Sequence, residues 1–468
     1  MSQFLSTHER YTIAILFFIN IVNYMDRYTV ASILGDLQDE FNVGDDYSGL
    51  LQTAFILSYT ICAPIFGYLG DRFSRRKIMV LSLLFWTVAT ILGSFTRTYG
   101  WFFVLRTFVG MGESSFSTLA PTIIYDVTYK EIRKDVLALF YIAIPIGSGL
   151  GFVAGAKFAR IGGHWCWALR VTPILGVIGS VLLCLIKDPV RGERELLEMG
   201  KPLVAKKISF KDELKSLVKN RSYLLSTFGF TSVAFVTGAM AWWGPIYLHS
   251  GFRLIPGEND IKLEEVALSF GAIAVCSGLI GVPLGAFISR KLIRKYPAID
   301  PIICGVGLII SDPLIVQALF AAKKSIIVTY SCVFLGEVFM NVTWTVVADI
   351  LLSVVVPESR STAEAFQIAI SHAFGDAGSP YLVGLLSEQL KKKWTENQPS
   401  SPVNMNIKLV QQFDAMRYAL MSIVFMQLLG GMLFVANAFY IVADRELVIQ
   451  AIASTSPSQQ MVPAVERA

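Results

Sequence analysis

The sequence predicts an all-α membrane protein of twelve transmembrane helices, arranged as two pseudo-symmetric six-helix bundles. Of its 468 residues, 54% are hydrophobic and only 16% are charged, a balance that soluble proteins of this length rarely show. Apolar runs at 11–25, 78–95 and 420–442 are long enough, at about 1.5 Å per residue, to cross a hydrocarbon core of about 30 Å. The apolar excess therefore faces lipid.

Hydropathy and helix-breaking residues place the helices along the chain. The first run follows a polar decapeptide and lacks a small-residue cleavage site, so it is helix 1 rather than a removed signal peptide. The predicted spans are 11–34, 47–70, 78–95, 101–124, 135–158, 165–186, 223–248, 264–289, 299–321, 326–352, 361–387 and 415–443.

Charge sets the orientation and the domain boundaries. Most of the 40 Lys and Arg residues lie in the N-terminus, the even-to-odd loops and the tail, which places both termini in the cytoplasm. The net charge of +5 follows from this topology, and no nucleic-acid partner is expected. A basic cytoplasmic linker with amphipathic helical pieces, at 187–221, separates an N-terminal bundle at 1–186 from a C-terminal bundle at 222–445. The tail at 446–468 is rich in Ser, Gln and Pro and is predicted to be disordered.

Internal repetition supports two halves. Glu131 and Arg133, at the start of helix 5, recur at one fixed offset as Glu358 and Arg360 at the start of helix 11. Parallel repeats about an axis along the membrane normal predict this equivalence. Glycines at every fourth position of helix 5, centred on Gly151, favour close packing of that helix against a neighbour.

The loop between helices 2 and 3 carries a specific motif, Gly-Tyr-Leu-Gly-Asp-Arg-Phe-Ser-Arg-Arg-Lys at 67–77. Gly67 permits two helices to approach closely, and Asp71 can meet a helix N-terminus, whose partial positive charge favours an anion. The basic residues alone would equally be explained by the excess of Lys and Arg that is usual in cytoplasmic loops, without a gating role. The loop after helix 8, with Gly285 and Arg290, is a degenerate echo of the motif.

This motif, with twelve spans and a central loop, resembles the signature of the major facilitator superfamily. The resemblance implies the fold of that superfamily and a cytoplasmic latch between the halves that holds the outward-open state. The residues that it assigns to gating are Gly67, Asp71, Arg72, Arg75, Arg76, Glu131, Arg133 and Arg360.

Ionisable residues inside the predicted spans are candidates for function, because each costs at least about 2.5 kcal/mol at mid-depth. Helix rise puts Asp26 about 15 Å from the outer end of helix 1, between the levels of Arg106 and Glu113 on helix 4. The residues predicted to couple protons are Asp26, Glu113 and His372, and those predicted to bind substrate are Arg27, Arg106 and Glu337. We assign no function to Asp312 or Asp349. Asp312 fits a cap at a helix break, and Asp349 fits a group at the inner membrane edge.

Glu113 is the predicted proton carrier. It has no basic residue within a turn on its own helix, whereas Asp26 has Arg27 beside it and Arg106 near its level. Desolvation therefore pushes Glu113 towards its neutral form. A structural alternative is a fixed Asp26–Arg106 pair, with Glu113 hydrogen-bonded to nearby backbone. A hydrogen-bonded core histidine is equally consistent with His372.

Longer segments resemble a narrower group, the spinster family. They are Asn-Tyr-Met-Asp-Arg at 23–27, the run from Arg106 to Ile123, Pro-Ile-Gly-Ser-Gly-Leu-Gly at 145–151, and Ser-His-Ala-Phe-Gly-Asp-Ala-Gly-Ser-Pro-Tyr at 371–381. The resemblance implies transport of lysophospholipids or of sphingolipids such as sphingosine-1-phosphate, with proton coupling for some members. It also makes Asp26, Arg106 and Glu113 the charged coupling group.

The expected partners are a lipid or lysolipid, protons and the bilayer, with the protein as a monomer. No cofactor, metal or enzymatic activity is expected, because the sequence holds no metal-ligand cluster, phosphate-binding glycine loop or catalytic triad. Two other functions stay open: transport of a small soluble organic anion, and a lipid sensor that moves nothing. The short termini show no sorting signal, so a lysosomal or endosomal membrane and the plasma membrane are alternatives.

Overall fold

The computed structural model describes residues 6–43, 45–194, 209–257, 260–261, 263–396 and 405–454, and these ranges contain helices, turns and no strand. The N-terminal helices are α1 (Thr7–Ser32), α2 (Leu34–Phe41), α3 (Asp45–Arg72), α4 (Arg75–Gly93), α5 (Tyr99–Val127), α6 (Arg133–Gly162) and α7 (Ala168–Leu185). The remaining helices are α8 (Phe210–Lys219), α9 (Arg221–Phe252), α10 (Leu263–Leu292), α11 (Ile299–Ala321), α12 (Ile326–Asn341), α13 (Thr343–Val354), α14 (Arg360–Ser371), α15 (Ser379–Glu396), α16 (Met405–Asn437) and α17 (Ile441–Ser454).

Each predicted span coincides with one of these helices, or with a broken one. The predicted tenth span comprises α12 and α13, and the eleventh comprises α14, a π-helical turn at His372–Asp376 and α15. Among the described residues, nine helical segments are long and apolar enough to cross a membrane. The predicted spans outside that set are α1, α5 and the eleventh, which carry five of the six residues predicted to couple protons or bind substrate, Glu337 of α12 being the sixth. The count of twelve spans stays a prediction.

Two buried clusters of apolar side chains organise the helices. One is drawn from α1 and α3 to α7, between Ile13 and Ile186. The other is drawn almost entirely from α8 onwards, between Leu217 and Ile441, with Tyr125 of α5 joining it. The linker between the clusters contains the amphipathic helix α8, as the sequence predicts, while residues 195–208 of the linker lie outside the described ranges.

The predicted disorder of the tail is wrong for residues 446–454, which continue α17. The reason is apolar burial: Val448 and Ile452 lie on one face of α17 and are each only 7% exposed. Arg445, at the preceding turn, is also tied to the bundle by an ion pair with Asp300. The prediction for residues 455–468 falls outside the described residues.

Small residues permit the closest helix contacts. A Cβ at Gly151 of α6 would lie 2.5 Å from the carbonyl oxygen of Met25 in α1, closer than any real Cβ contact. The predicted close packing of the glycine face is thereby confirmed. At Gly67 of α3 the same construction gives 2.6 Å to the carbonyl oxygen of Ser361 in α14, so this glycine brings helices of the two halves together.

Candidate functional site: a buried charge cluster and an inner latch

The first ion pair of the charge cluster joins α1 to α5. Arg27 Nε donates to Glu113 Oε2 at 2.7 Å, and the Glu113 side chain is fully buried. Glu113 Oε1 has no hydrogen-bond partner among the described residues. This carboxylate is therefore anchored through one oxygen, by one arginine.

The second ion pair lies beside it and is held by more groups. Arg106 Nη1 is 3.6 Å from Asp26 Oδ2. Thr172 Oγ1 of α7 donates to Asp26 Oδ1 at 2.5 Å, and Thr90 Oγ1 of α4 donates to Asp26 Oδ2 at 3.4 Å. Three helices thus fix the Asp26 carboxylate from outside α1.

These pairs correct the reasoning about Glu113. The premise that Arg27 compensates the charge of Asp26 is wrong, because Arg27 contacts Glu113 and not its neighbour Asp26. Successive residues on a helix point about 100° apart, so Asp26 and Arg27 face different neighbours. The structural alternative is half right. The Asp26–Arg106 pair that it predicts is present, but Glu113 pairs with an arginine instead of with nearby backbone.

Aromatic rings surround the two guanidinium groups. Arg27 Cζ lies 4.8 to 5.0 Å from the ring centroids of Tyr24, Phe55 and Tyr59, and Arg106 Cζ lies 5.1 Å from that of Phe55. Among the described residues, Arg27 Nη2 and Arg106 Nε have no hydrogen-bond acceptor. Buried guanidinium donors left over from an ion pair are suited to a phosphate or carboxylate ligand.

His372 connects the other half to this cluster. It begins the π-helical turn, and its Nδ1 lies 2.8 Å from Asp376 Oδ2, one turn later. Its ring packs edge-on against Tyr59 of α3, with centroids 5.2 Å apart. Because Tyr59 also contacts Arg27, a continuous run of polar and aromatic groups leads from Asp376 to Glu113.

Glu337 lies apart from the two arginines. It is buried in α12, where its Oε2 accepts a hydrogen bond of 2.8 Å from Ser277 Oγ of α10. Among the described residues it forms no ion pair, and the structure does not bring it together with Arg27 or Arg106. Asp312, to which the sequence analysis assigns no function, is also buried, and its Oδ1 has no partner within the described part of the chain.

The motif loop forms the first contact of the inner latch, the set of inter-half contacts made by residues 67–76 and their partners. Asp71 Oδ1 accepts from the backbone N–H of Ser361 at 3.1 Å, and Oδ2 accepts from that of Thr362 at 2.7 Å. Asp71 therefore caps the N-terminus of α14, the arrangement that the sequence predicts for it.

A buried triad strengthens this latch. Arg75 Nη1 lies 2.7 Å from Asp126 Oδ2, and Arg360 Nη1 lies 3.3 Å from Asp126 Oδ1. Asp126 lies at the end of α5 and was missed by sequence reasoning. The available signal was electrostatic: Arg75 and Arg360, both assigned to gating, required an anion, and Asp126 lies at the same predicted membrane edge.

The remaining gating candidates divide between the linker and the periphery. Arg72 Nη2 lies 3.3 Å from Glu213 Oε1 of α8, and Arg76 donates to the carbonyl oxygen of Ile186 at 2.9 Å. Burial raises the pKa of the Glu213 carboxyl, and Arg72 opposes that shift. Arg133 stacks on Tyr125, with its Cζ 3.5 Å from the ring centroid.

Glu131 is the exception. The structure places it on an exposed surface, and it forms no ion pair with any described residue, so its predicted membership of the latch network is wrong. It lies in the turn that precedes α6.

A second set of contacts joins the halves through α6 and was also missed. Lys134 Nζ lies 2.6 Å from Asp300 Oδ1 of α11 and 3.3 Å from Asp349 Oδ2 of α13. The next residue, Asp135, pairs with Arg290 of α10. We call these contacts the second latch. The degenerate motif echo after helix 8 was its only sequence signal.

Residues 16–379 match the family model of the Major Facilitator Superfamily. The chain is 45% identical to Protein spinster of Drosophila melanogaster over 487 aligned residues, which cover 96% of this chain and 80% of that protein. The chain belongs to the spinster family. A spinster-family relative in Danio rerio, named as a sphingosine-1-phosphate transporter, is 43% identical over 92% of this chain and 84% of that protein.

A solved structure shows the same fold. A bacterial homologue of the human lysosomal transporter Spinster, in an inward-facing conformation, covers 94% of this chain and 99% of its own, with a TM-score of 0.64 at 18% identity. The resemblance drawn from the sequence motifs is confirmed, and the protein is a multi-pass membrane transporter of the major facilitator fold, not an enzyme.

Proposed function

We propose that this spinster-family protein moves phosphorylated amphiphilic lipids, such as lysophospholipids or sphingosine-1-phosphate, across the membrane by alternating access. The observation that carries the proposal is the pair of arginines formed by the partly buried Arg27 and the buried Arg106. Each has a donor left over from its ion pair and at least one aromatic ring beside it. The name of the Danio rerio relative supports the lipid class.

The engaged latches support an outward-open state. Asp71 caps α14 across the halves, Asp126 joins Arg75 to Arg360, and Lys134 joins α6 to α11 and α13. Contacts of this kind must break before that end of the bundle opens. We therefore propose that alternating access consists of exchanging these inner contacts for closure at the opposite end.

The charge cluster would couple ligand and proton by exchange of partners. Within the described part of the chain Glu113 is anchored only by Arg27, so a proton on Glu113 releases Arg27 to the phosphate of the lipid. Asp26 is less free to leave Arg106, because two threonines also hold it. Glu113 thus stays the proposed proton carrier, now on the strength of its single partner.

His372 and Glu337 complete the proposed site. His372 contacts both Asp376 and Tyr59, which makes it a relay between the C-terminal half and the Arg27–Glu113 pair. Glu337, with its hydroxyl partner Ser277, would contact the polar part of a lipid from the C-terminal half. We also propose that the protein acts as a monomer.

We infer the placement in the cell from charge alone. Basic residues concentrate at the end that carries the inner latch, so both termini are proposed to lie in the cytoplasm. A lysosomal or endosomal membrane and the plasma membrane both fit this orientation.

Uptake by purified protein in liposomes tests the proposal. The substrates are a lysophospholipid, sphingosine-1-phosphate and a soluble organic anion such as succinate, each with and without an inward pH gradient. We expect the protein to take up a lipid, and we expect the pH gradient to accelerate that uptake. Uptake of the soluble anion alone would make the protein an organic-anion transporter, and tight lipid binding without uptake would make it a sensor.

A further inference from the structure

A cavity of about 860 Å³ opens at the inner end of the molecule, away from the charge cluster. Its walls come from the turn before α6, the end of α10, the start of α11, the end of α13 and the face of α17. Both halves therefore line it, and they do so beside the second latch. Neither Arg27 nor Arg106 reaches it.

The floor of the cavity is neutral. Lys134 contacts Asp300 and Asp349, and Arg445 contacts the same two carboxylates, at 2.7 Å and 3.8 Å. Two cations thus face two anions, and all four are held between helices. A ligand that enters the cavity meets a floor whose charges are already compensated.

The rim is basic. Its cationic side chains are Lys130, Arg133, Arg290, Lys291 and Arg294, and its acidic side chains are Glu131 and Glu446. Arg290 is occupied by Asp135, which lies next to the lining. Lys130, Lys291 and Arg294 are exposed at the mouth, so the rim keeps an excess of positive charge.

One wall is apolar. Phe287 at the end of α10 is 51% exposed and Ile449 of α17 is 48% exposed, although both line the cavity. Val442, Val448 and Ile452 continue the apolar wall along α17. A cavity with a cationic mouth and an exposed apolar wall matches a ligand that has a polyanionic head and a hydrocarbon chain.

We propose that this cavity binds a membrane phospholipid with a multiply phosphorylated headgroup, distinct from the transported lipid, and that this lipid holds the two halves in the latched state. In the proposed orientation the cavity faces the cytoplasmic leaflet, where anionic lipids reside. Because the lipid contacts both halves only while the second latch is closed, its binding favours the outward-open state by mass action.

Binding of a fluorescent dioctanoyl phosphatidylinositol bisphosphate to the purified full-length protein tests this proposal. The rim variant carries Lys291→Ala with Arg294→Ala. The control carries Lys215→Ala with Lys219→Ala, which removes the same charge from exposed positions on α8, away from the cavity. We expect the rim variant to bind at least about tenfold more weakly, by loss of two charge-assisted contacts, and the control to bind like the parent. Equal binding by all three proteins would overturn the proposal.

Three competitors and two further variants identify the ligand. Dioctanoyl phosphatidylcholine should not displace the probe, and Ile449→Ser should weaken binding of the probe but not of inositol trisphosphate. If inositol trisphosphate displaces the probe as effectively as the unlabelled lipid does, the cavity is a site for a soluble phosphate and the lipid proposal fails. If Arg106→Ala abolishes probe binding, the probe occupies the transport site, which also refutes the proposal.

Discussion

Arg27 and Arg106 cannot give up their protons, so each needs an anionic partner at every stage of a transport cycle. In the latched state those partners are Glu113 and Asp26. A phosphate that enters must displace a carboxylate, and the displaced carboxylate must then find a proton or another donor. This exchange makes ligand binding and protonation parts of one process.

Arg106→Ala should abolish lipid transport without unfolding the protein. Asp26 keeps the two threonine hydroxyls, so the buried carboxylate retains partners, but the phosphate loses one guanidinium. We expect uptake in liposomes to fall by at least about 100-fold, the order of two strong charge-assisted contacts.

A matched control is Arg417→Ala. Arg417 is also a buried arginine, 3.1 Å from Asp414, but it lies in α16 outside the charge cluster. It should lose thermal stability to a similar degree while keeping transport. Normal uptake by a well-expressed Arg106→Ala protein would remove Arg106 from the mechanism.

Glu113→Gln should separate exchange from proton coupling. Glutamine resembles the protonated side chain, so Arg27 stays available to phosphate and counterflow of lipid should continue. Acceleration by a pH gradient should be lost. Glu337→Gln, which changes a buried carboxyl hydrogen-bonded to a hydroxyl, is the control and should respond to the gradient normally.

Two outcomes would contradict this assignment. Full pH-driven uptake by Glu113→Gln would mean that its proton does not move. Loss of gradient response in Asp26→Asn, with Glu113→Gln unaffected, would transfer the role to Asp26.

Sequence reasoning predicted that these residues lie near one another but not how they pair. The helix rise fixes how deep Asp26, Arg106 and Glu113 lie, whereas the rotation of each helix about its axis depends on packing against its neighbours. Arg27 was therefore assigned to the wrong carboxylate. Thr90 and Thr172, which decide that Asp26 is the better held group, carry no recognisable motif.

At the scale of helices, the latch is a carboxylate on one half that caps a helix of the other. Asp71 supplies two acceptors and a negative charge to the N-terminus of α14, a position where both are favourable. This part could be predicted because the motif is contiguous in sequence. The second latch could not be, because Lys134, Asp300 and Asp349 come from three separate helices and only their packing brings them together.

Asp71→Asn should shift the population away from the outward-open state. Asparagine keeps one acceptor but loses the charge and the second acceptor, a change of about 1 kcal/mol in capping energy. Cysteine probes near the inner and the outer end of the interface between the two halves should therefore show several-fold more labelling from the inner side. Lipid affinity should change less than turnover.

Asp444→Asn is the matched control. Asp444 Oδ2 accepts from the backbone N–H of Ser222 at 3.0 Å, which caps the start of α9, but both residues belong to the C-terminal half. Its loss should lower stability without changing which side is accessible. Unchanged labelling in the Asp71→Asn protein would show that this cap does not hold the latch.

At the scale of the molecule, two latches on different helix pairs close the same end. Asp71 joins α3 to α14, and Lys134 joins α6 to α11 and α13. The sequence predicted the two-bundle architecture because hydropathy, charge bias and a repeated motif all act over long segments. It could not predict the second latch, because that latch consists of single residues dispersed along the chain.

Opening the inner end requires both latches to break, so their contributions should add. Lys134→Met leaves Asp300 and Asp349 with Arg445 as their shared cation, and the uncompensated carboxylate disfavours the closed arrangement. If the latches are independent, the combined Asp71→Asn and Lys134→Met protein should shift the ratio of inner to outer labelling by the product of the two single shifts. A combined shift no larger than the greater single one would mean that breaking one latch already releases the other, and the two would then be a single cooperative gate.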